Sequence, residues 1–314
     1  MKKRRIFTLI LTVILSFVLA FGIFIYMSDD DYDSNHVIKD TLPDGDGKKA
    51  TVILLGGQSN ASGCSRDEYL KKNVTPEEYA EYEAGYDNVY INYYVSGHNI
   101  SEEFVKCGAR QGEKGGFFGP ELGIADKLNE LYPDRTFFII KCAWGGTNLY
   151  EQWLSPSSIG RTGDLYNTFV SYVNTSLEYL VSKNYDIEIE AMCWMQGESD
   201  SISEKNATDY EWNLKHFIKD IRKEFADYAS DDGIAFVDAY ISPNPKIWVH
   251  CDLLNQSKKN VAVSSPMNAV VDTVTAGLSC AVEPVENPDI AHFDALSELK
   301  LGQMFAEEAV KFFD

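Results

Sequence analysis

Two residues near the carboxyl terminus have the types and the spacing of a catalytic pair. Asp289 and His292 lie three residues apart in the polar loop 288–294. In a turn, this spacing lets the carboxylate hold one ring nitrogen, so that the other nitrogen can accept a hydroxyl proton. The other histidines of the body have no acidic residue at that offset: His98, His216 and His250. His292 is therefore the candidate base, and Asp289 is the candidate acid that orients it.

A serine follows the first apolar strand of the body. Ser59 comes directly after the run Gly-Gly-Gln at 56–58, which places it at the carboxyl edge of a sheet and at the start of a helix. Such a serine can act as a nucleophile, and its own N–H can stabilise the anion that forms. The alternative is an ordinary helix N-cap or turn. The α/β-hydrolase motif G-x-S-x-G is a near miss, because residue 61 is alanine.

Two further predicted strands end in loops with candidate oxyanion donors. Gly145 and Gly146 follow one strand, where paired glycines let the backbone approach a ligand and leave an N–H free to donate. Gln196 follows the next strand and can offer a side-chain N–H, while Glu198 adds a carboxylate at the same edge. The alternatives are a tight turn in the first loop and a helix-capping loop in the second.

The elements that must position these residues alternate along the chain. Short apolar runs predict strands at 51–55, 89–95, 136–142, 187–194 and 234–239. Apolar residues at helical spacing predict helices at 120–131, 164–183, 207–228 and 294–313. Alternation of this kind predicts a parallel sheet covered on both faces, with ligands bound beyond the carboxyl ends of the strands.

Four motifs in this order resemble one family. They are GGQSN at 56–60, WGGTNL at 144–149, WMQGESD at 194–200 and DIAHFD at 289–294. Together they are similar to the SGNH-hydrolase superfamily, and within it to the sialate O-acetylesterase and carbohydrate esterase family 6 (acetylxylan esterase-like) group. The resemblance spans residues from about 50 to 312. It implies a three-layer α/β/α fold with a flavodoxin-like parallel sheet, and neither a metal nor an organic cofactor.

The resemblance also implies a role for each motif residue. Ser59 is the nucleophile, His292 is the base and Asp289 is its orienting acid. Glu198 is a carboxylate that acts beside that acid or in its place. The implied oxyanion donors are Ser59, Gly146 or its neighbour Gly145, and Gln196. The residues that flank them are assigned to substrate binding: Gln58, Asn60, Trp144 and Asn148.

The implied reaction is hydrolysis of an O-acetyl ester on a carbohydrate, a sialate or a polysaccharide, through an acetyl-enzyme. Two alternatives stay open: a surface O-acetyltransferase that uses the same residues, and a non-catalytic carbohydrate-binding module on the same fold. A phosphate-binding loop is not indicated, because no lysine follows the first glycine-rich run as a P-loop requires. The aromatic candidates for stacking on sugar rings, or for the core, are Tyr150, Trp153 and Trp248.

The charge and the amino-terminal segment indicate where the enzyme works. The 314 residues carry a formal net charge of −20, which disfavours nucleic acid as a partner. Residues 1–5 are a basic flank, and 6–27 form an uncharged apolar run long enough to anchor the chain in a membrane with the body outside. The alternative is a signal peptide cleaved after Ala20. Residues 28–48 predict an acidic, solvated tether, and 49–314 form the catalytic domain.

Six cysteines lie beyond the apolar run, where disulfides are permitted. Cys251 and Cys280 are the candidates for a bridge. No C-x-x-C pair and no His/Cys ligand spacing is present, so the sequence does not suggest zinc.

Overall fold

Six main strands run parallel through the centre of the fold. The structure, a computed structural model, describes residues 37–313, and these lie within one compact unit. In chain order the strands are β1 (Lys49–Gly57), β2 (Val89–Val95), β3 (Thr136–Ala143), β4 (Asp186–Met195), β5 (Ala235–Ala239) and β6 (Asn268–Val271). Their order in space is β6-β5-β4-β1-β3-β2, so β1 lies between β3 and β4. Two short strands, 99–100 and 105–106, pair antiparallel with β2.

This order differs from the predicted flavodoxin-like sheet. In that sheet, β2 lies beside β1 in the order 2-1-3-4-5, whereas here β3 separates them. The alternation of strands and helices indicates that strands are parallel and buried, but it does not determine which strands are neighbours. The mainly parallel α/β architecture itself is as predicted. The topological switch point is still at the centre of the sheet, because the chain moves from β1 toward one edge, where β2 lies, and from β4 toward the other edge, where β5 lies.

Within residues 37–313, the α-helices connect and cover these strands. They are α1 (Ser59–Ser62), α2 (Asp67–Asn73), α3 (Pro76–Ala84), α4 (Pro120–Leu131), α5 (Asp164–Ser182), α6 (Glu204–Glu224), α7 (Cys251–Ala262) and α8 (Ala295–Ala309). The five predicted strands and four predicted helices are all present. Strand 89–95 and helix 120–131 have the predicted bounds, and the other elements have shifted ends. Strand β6 and helices α2, α3 and α7 were not predicted, because β6 is only four residues long and the three helices are rich in polar residues.

The helices lie on both faces of the sheet. On β3, Lys141 contacts Glu121 of α4 at 2.6 Å. The next residue, Cys142, aligns with Tyr94 of β2, whose ring lies 5.7 Å from that of Tyr172 on α5. Because consecutive strand residues point to opposite faces, α4 and α5 cover opposite sides of the sheet.

Each face holds a second long helix. Gly56 of β1 aligns with both Cys142 of β3 and Trp194 of β4, so these residues share one face of the sheet. On that face, Trp194 packs on Phe217 of α6 with 4.6 Å between ring centroids. Helix α6 therefore shares the α5 face. On the other face, α4 and α8 cross so closely that a Cβ on Gly123 would lie 2.0 Å from the Leu299 carbonyl oxygen. The result is a three-layer α/β/α arrangement.

The segment before β1 is packed rather than solvated over its second half. Ile38 and Leu42 are buried, and Asp40 pairs with Lys183 at 2.8 Å. The Gly45 N–H donates to the Lys183 carbonyl at 2.7 Å, so residues 37–48 are fixed against the end of α5. The predicted tether is wrong for these residues, because two isolated apolar side chains in an acidic run were sufficient to attach it.

Residues 28–36, the predicted membrane segment 6–27 and the basic flank 1–5 lie outside the described residues. Between residues 37 and 313, no helix has the length and apolar character needed to cross a bilayer. All six cysteines are unpaired, so the proposed bridge between Cys251 and Cys280 is not formed in this structure.

Candidate active site

The carboxyl ends of β3, β1 and β4 bring three of the candidate loops together. Gly57, the last residue of β1, aligns with Ala143 of β3 and with Met195 of β4. A Cβ on Gly57 would lie 2.0 Å from the Met195 carbonyl oxygen, and its φ of +139° strains any other residue. Glycine at this position therefore lets the chain turn sharply into α1, which begins at the half-buried Ser59.

The predicted pair in the last polar loop is formed. His292 Nδ1 lies 2.7 Å from Asp289 Oδ2, and the Ala291 N–H also donates to Asp289. Burial raises the pKa of Asp289, but the hydrogen bond and the charge of His292 outweigh it, so the net pKa lies below its ordinary value. With Nδ1–H donated to a carboxylate, Nε2 keeps its lone pair and can accept a proton.

Asn60 connects this loop to the turn that contains Ser59 and to the loop after β4. Its side-chain oxygen accepts the Phe293 N–H at 3.1 Å, and its amide nitrogen donates to Glu198 Oε1 at 2.7 Å. Burial raises the pKa of Glu198, opposed by the Asn60 hydrogen bond and by the charges of Lys258 and His292. Ser59, His292 and Glu198 are therefore brought into one site, although the Ser59 hydroxyl bonds to no described residue.

The backbone N–H groups of Ser59 and Gly146 make no hydrogen bond with any residue from 37 to 313. The Gly145 N–H, in contrast, donates to Ser96 Oγ at 3.2 Å. A Cβ on Gly145 would lie 3.7 Å from Ser59 Cβ, so the glycine pair is beside Ser59. Of the two predicted glycines, Gly146 has the available donor.

Gln196 does not occupy the predicted oxyanion position. It is fully buried, and its amide nitrogen donates to Asp200 Oδ2 at 2.7 Å and to the Thr147 carbonyl at 3.0 Å. Its oxygen accepts the Tyr210 hydroxyl at 3.0 Å. Because a primary amide has only two hydrogens, none is left for a substrate. Gln196 therefore holds the loops together and does not serve as an oxyanion donor.

Gln58 has the free side-chain donor that Gln196 lacks. Its oxygen accepts the N–H groups of Gly197 at 3.3 Å and Ser199 at 3.2 Å. It also lies 3.2 Å from Gln196 Nε2, whose two hydrogens are directed to Asp200 and Thr147. The two backbone donors fix which end of the amide is oxygen. Its nitrogen donates to no described residue. The side chain is only 2% exposed, so this available N–H₂ lies in a confined place next to Ser59.

Asp200, in the loop after β4, holds the loop that contains the glycine pair. Its carboxylate accepts Gln196 Nε2 together with the N–H groups of Leu149 at 2.9 Å and Tyr150 at 3.1 Å. Burial raises its pKa to about 6 despite these donors. Asp200 therefore fixes the path of the chain that follows Gly146. Its partners lie on two different loops, so spacing in the sequence could not identify this role.

The other predicted binding residues are divided between the cleft and the interior. Trp144 is buried edge-on against Tyr94 at 4.7 Å, and the Asn148 side chain bonds within its own turn to Gln152 and Glu151. Trp153 is fully buried, which excludes it from stacking on a sugar. Tyr150 and Trp248 are half-buried and stay candidates.

Sequence reasoning missed a carboxylate beside the glycine pair. A Cβ on Gly145 would lie 3.3 Å from Glu113 Oε2, which also accepts the Cys64 thiol at 3.0 Å. Glu113 lies in an irregular loop with no motif around it, so the sequence contained no signal for it. In the part of the chain that the structure describes, no group of three or more His, Cys, Asp or Glu side chains could hold a metal ion.

Comparison with known proteins identifies the family. A sequence model of the family described as carbohydrate esterase, sialic acid-specific acetylesterase, matches residues 49–311, within the predicted catalytic domain. The chain belongs to this family, and it is therefore a carboxylic ester hydrolase of the carbohydrate acetylesterase class. No curated protein sequence matches it.

Solved structures agree with this assignment at the level of the fold. A protein from Arabidopsis thaliana superposes with a TM-score of 0.62 and 19% identity, over 85% of this chain and 100% of the other. NanS gives 0.59 and 16%, over 87% and 99%. A carbohydrate acetylesterase from Xanthomonas citri gives 0.56 and 18%, over 83% of this chain and 56% of the other. At these identities the likeness concerns the fold alone.

Proposed function

We propose that the protein removes O-acetyl groups from a carbohydrate through a Ser59–His292–Asp289 triad. The observation that carries the proposal is the 2.7 Å contact between His292 and Asp289, on a loop that Asn60 connects to the nucleophile turn. A base whose Nε2 keeps its lone pair, on a loop bonded to the residue that follows Ser59, supports this proposal.

The reaction has two steps. Ser59 Oγ attacks the acetyl carbonyl carbon and gives its proton to His292 Nε2, while the carbonyl electrons move to oxygen. The intermediate collapses, the sugar oxygen leaves with the proton from His292, and an acetyl-enzyme remains. Water then attacks the acetyl group with His292 as base, and acetate leaves Ser59. Asp289 stabilises the imidazolium that forms in each step.

The charge on the carbonyl oxygen is held by neutral donors. The available groups are the N–H of Ser59, the N–H of Gly146 and the side-chain N–H₂ of Gln58, which takes the place of Gln196 in the original prediction. Donors fixed in a site that excludes water stabilise a developing anion far more than water-exposed donors do. The bonds from the N–H groups of Gly197 and Ser199 to the Gln58 oxygen supply that rigidity.

The substrate in this proposal is an uncharged or weakly charged acetylated polysaccharide, ahead of a highly anionic glycan. The net charge of −20 and the carboxylates around the cleft support this preference, because like charges repel at short range. Sialate esters are also to be tested as substrates, because the family is described as sialic acid-specific acetylesterases.

The experiment is acetate release from a panel of acetylated glycans, with acetylated xylan and O-acetyl sialic acid among them. We expect wild type to release acetate and Ser59→Ala to lose nearly all turnover, while Ser264→Ala, in the turn after α7, keeps it. If Ser59→Ala is folded and fully active, the triad proposal is wrong. Acetate transferred to an added sugar acceptor, instead of free acetate, would support the transferase alternative.

A further inference from the structure

One side chain contacts the backbone on both sides of the candidate base. The Asn60 oxygen accepts the N–H of Phe293 at 3.1 Å, and the Asn60 nitrogen lies 3.5 Å from the carbonyl oxygen of Ala291. These two peptide groups directly precede and follow His292. Asn60 itself follows Ser59 in α1 and is only 1% exposed. A buried amide thus links the turn of the nucleophile to the backbone of the base.

A second contact determines which way this amide faces. The Asn60 nitrogen donates to Glu198 Oε1 at 2.7 Å, so the oxygen must point toward Phe293. Glu198 is also 1% exposed, and its other oxygen, Oε2, is buried without a partner among the described residues. Leaving a buried carboxylate oxygen unpartnered is costly, which indicates that the residue has a role beyond packing.

Glu198 cannot be replacing Asp289 in this arrangement. His292 Nδ1 is already bonded to Asp289, and no hydrogen bond joins Glu198 to His292 within residues 37–313. Among residues 37–313, the only side chain bonded to the Glu198 carboxylate is that of Asn60. An influence of Glu198 on the base through contact must therefore pass through Asn60.

We propose that Asn60 is a positioning residue that holds His292 over Ser59, and that Glu198 acts on catalysis through the Asn60 amide. The inference rests on the proposed function. Only an amide satisfies the site, because it donates at one end and accepts at the other. Aspartate has no N–H for Glu198 and adds a second charge beside it, and alanine loses all three contacts.

A double-mutant cycle tests the proposal on an aryl acetate. Displacement of the base by about 1 Å can cost ~10²-fold in rate, so we expect Asn60→Ala to lower kcat ~10²-fold with little change in KM. Glu198→Ala should lower kcat ~10-fold, and the double variant should be no slower than Asn60→Ala, because interacting residues are not additive. Independent losses that multiply in the double variant would overturn it.

Two controls separate positioning from general destabilisation. Asn92→Ala removes a similarly buried asparagine of β2, whose side chain bonds to Ser176 and Ser101. This variant should be less stable than wild type but should keep its kcat. Hydrogen–deuterium exchange should show faster exchange across residues 289–293 in Asn60→Ala and not in Asn92→Ala. Unchanged exchange there would also overturn the inference. If Ser59→Ala is inactive but Asn60→Ala is fully active, only this inference fails, and the triad stands.

Discussion

Gln196 Nε2 lies 2.7 Å from Asp200 Oδ2, and the same carboxylate holds the chain that follows Gly146. The loops after β3 and β4 are therefore connected by buried polar contacts. Gln196, which the sequence predicted as an oxyanion donor, instead stabilises the loop that contains Gly146, whose N–H is an available donor. Removing it should change stability first and catalysis second, whereas Gln58 should show the opposite order.

Gln58→Glu keeps the oxygen that accepts from Gly197 and Ser199 but replaces the free N–H₂ with a second oxygen. We expect kcat to fall at least ~10²-fold, as for loss of one oxyanion donor. Gln196→Ala removes one hydrogen-bond partner from the Tyr210 hydroxyl and one from Asp200, and it should lower the free energy of unfolding by about 1–3 kcal/mol, with a smaller loss of kcat. Urea unfolding and steady-state kinetics of both variants decide this. Gln196→Ala with wild-type stability and a ~10²–10³-fold lower kcat would restore the original role.

Asp289→Asn should lose more activity than Glu198→Gln. Asp289 contacts the imidazole directly, and loss of its charge can cost up to ~10⁴ in kcat. The glutamine oxygen at position 198 can still accept from Asn60, so that loss should be small. Turnover of an aryl acetate by each folded variant gives the ranking. The reverse ranking would make Glu198 the triad acid and Asp289 a turn residue.

The raised pKa of Asp200 makes stability depend on pH. Between an unfolded pKa near 3.9 and a folded value of about 6, the folded state holds a proton that the unfolded state has released. Stability therefore falls as pH rises through this window, by about 3 kcal/mol in total. Asp200→Asn lacks this titration, so the wild-type stability relative to the variant should decline from pH 4 to pH 7. Parallel stability curves from urea unfolding at pH 4.5, 5.5 and 7 would contradict it.

The apolar run 6–27 is proposed as an uncleaved anchor with the catalytic domain outside the cell. Full-length protein should fractionate with membranes and be released only by detergent, and external protease should remove esterase activity from intact cells. A control variant with two lysines placed inside 6–27 should lose membrane association, because charges are costly at the bilayer centre. Recovery of the protein in the medium, trimmed after Ala20, would favour the signal-peptide alternative.

The parts of the site that the sequence predicted are local in the chain. Asp289 and His292 share one turn, so their spacing alone brings them within hydrogen-bond distance. Ser59 follows a buried strand directly, so its place at the sheet edge depends only on recognising that strand. Gly146 is similar, since a glycine pair after a strand indicates an accessible backbone.

The parts that the sequence did not predict depend on distant elements. Gln196 is directed inward by Asp200, Thr147 and Tyr210, which come from three different segments. Glu113 reaches Gly145 from a loop outside the sheet. The order of β1, β2 and β3 likewise depends on pairing between strands, which hydrophobic patterning does not encode.

The second half of the packed segment 37–48 lies at the amino ends of the strands. Asp44 lines the same cavity as Asn88 and Thr136, at the amino ends of β2 and β3. Ser59 lies at the opposite end of β1, about 30 Å away at ~3.3 Å per residue. Immobilising the protein through a linker attached at Asp44 therefore leaves the cleft facing outward. A long polymer could then approach by its middle as well as by its ends.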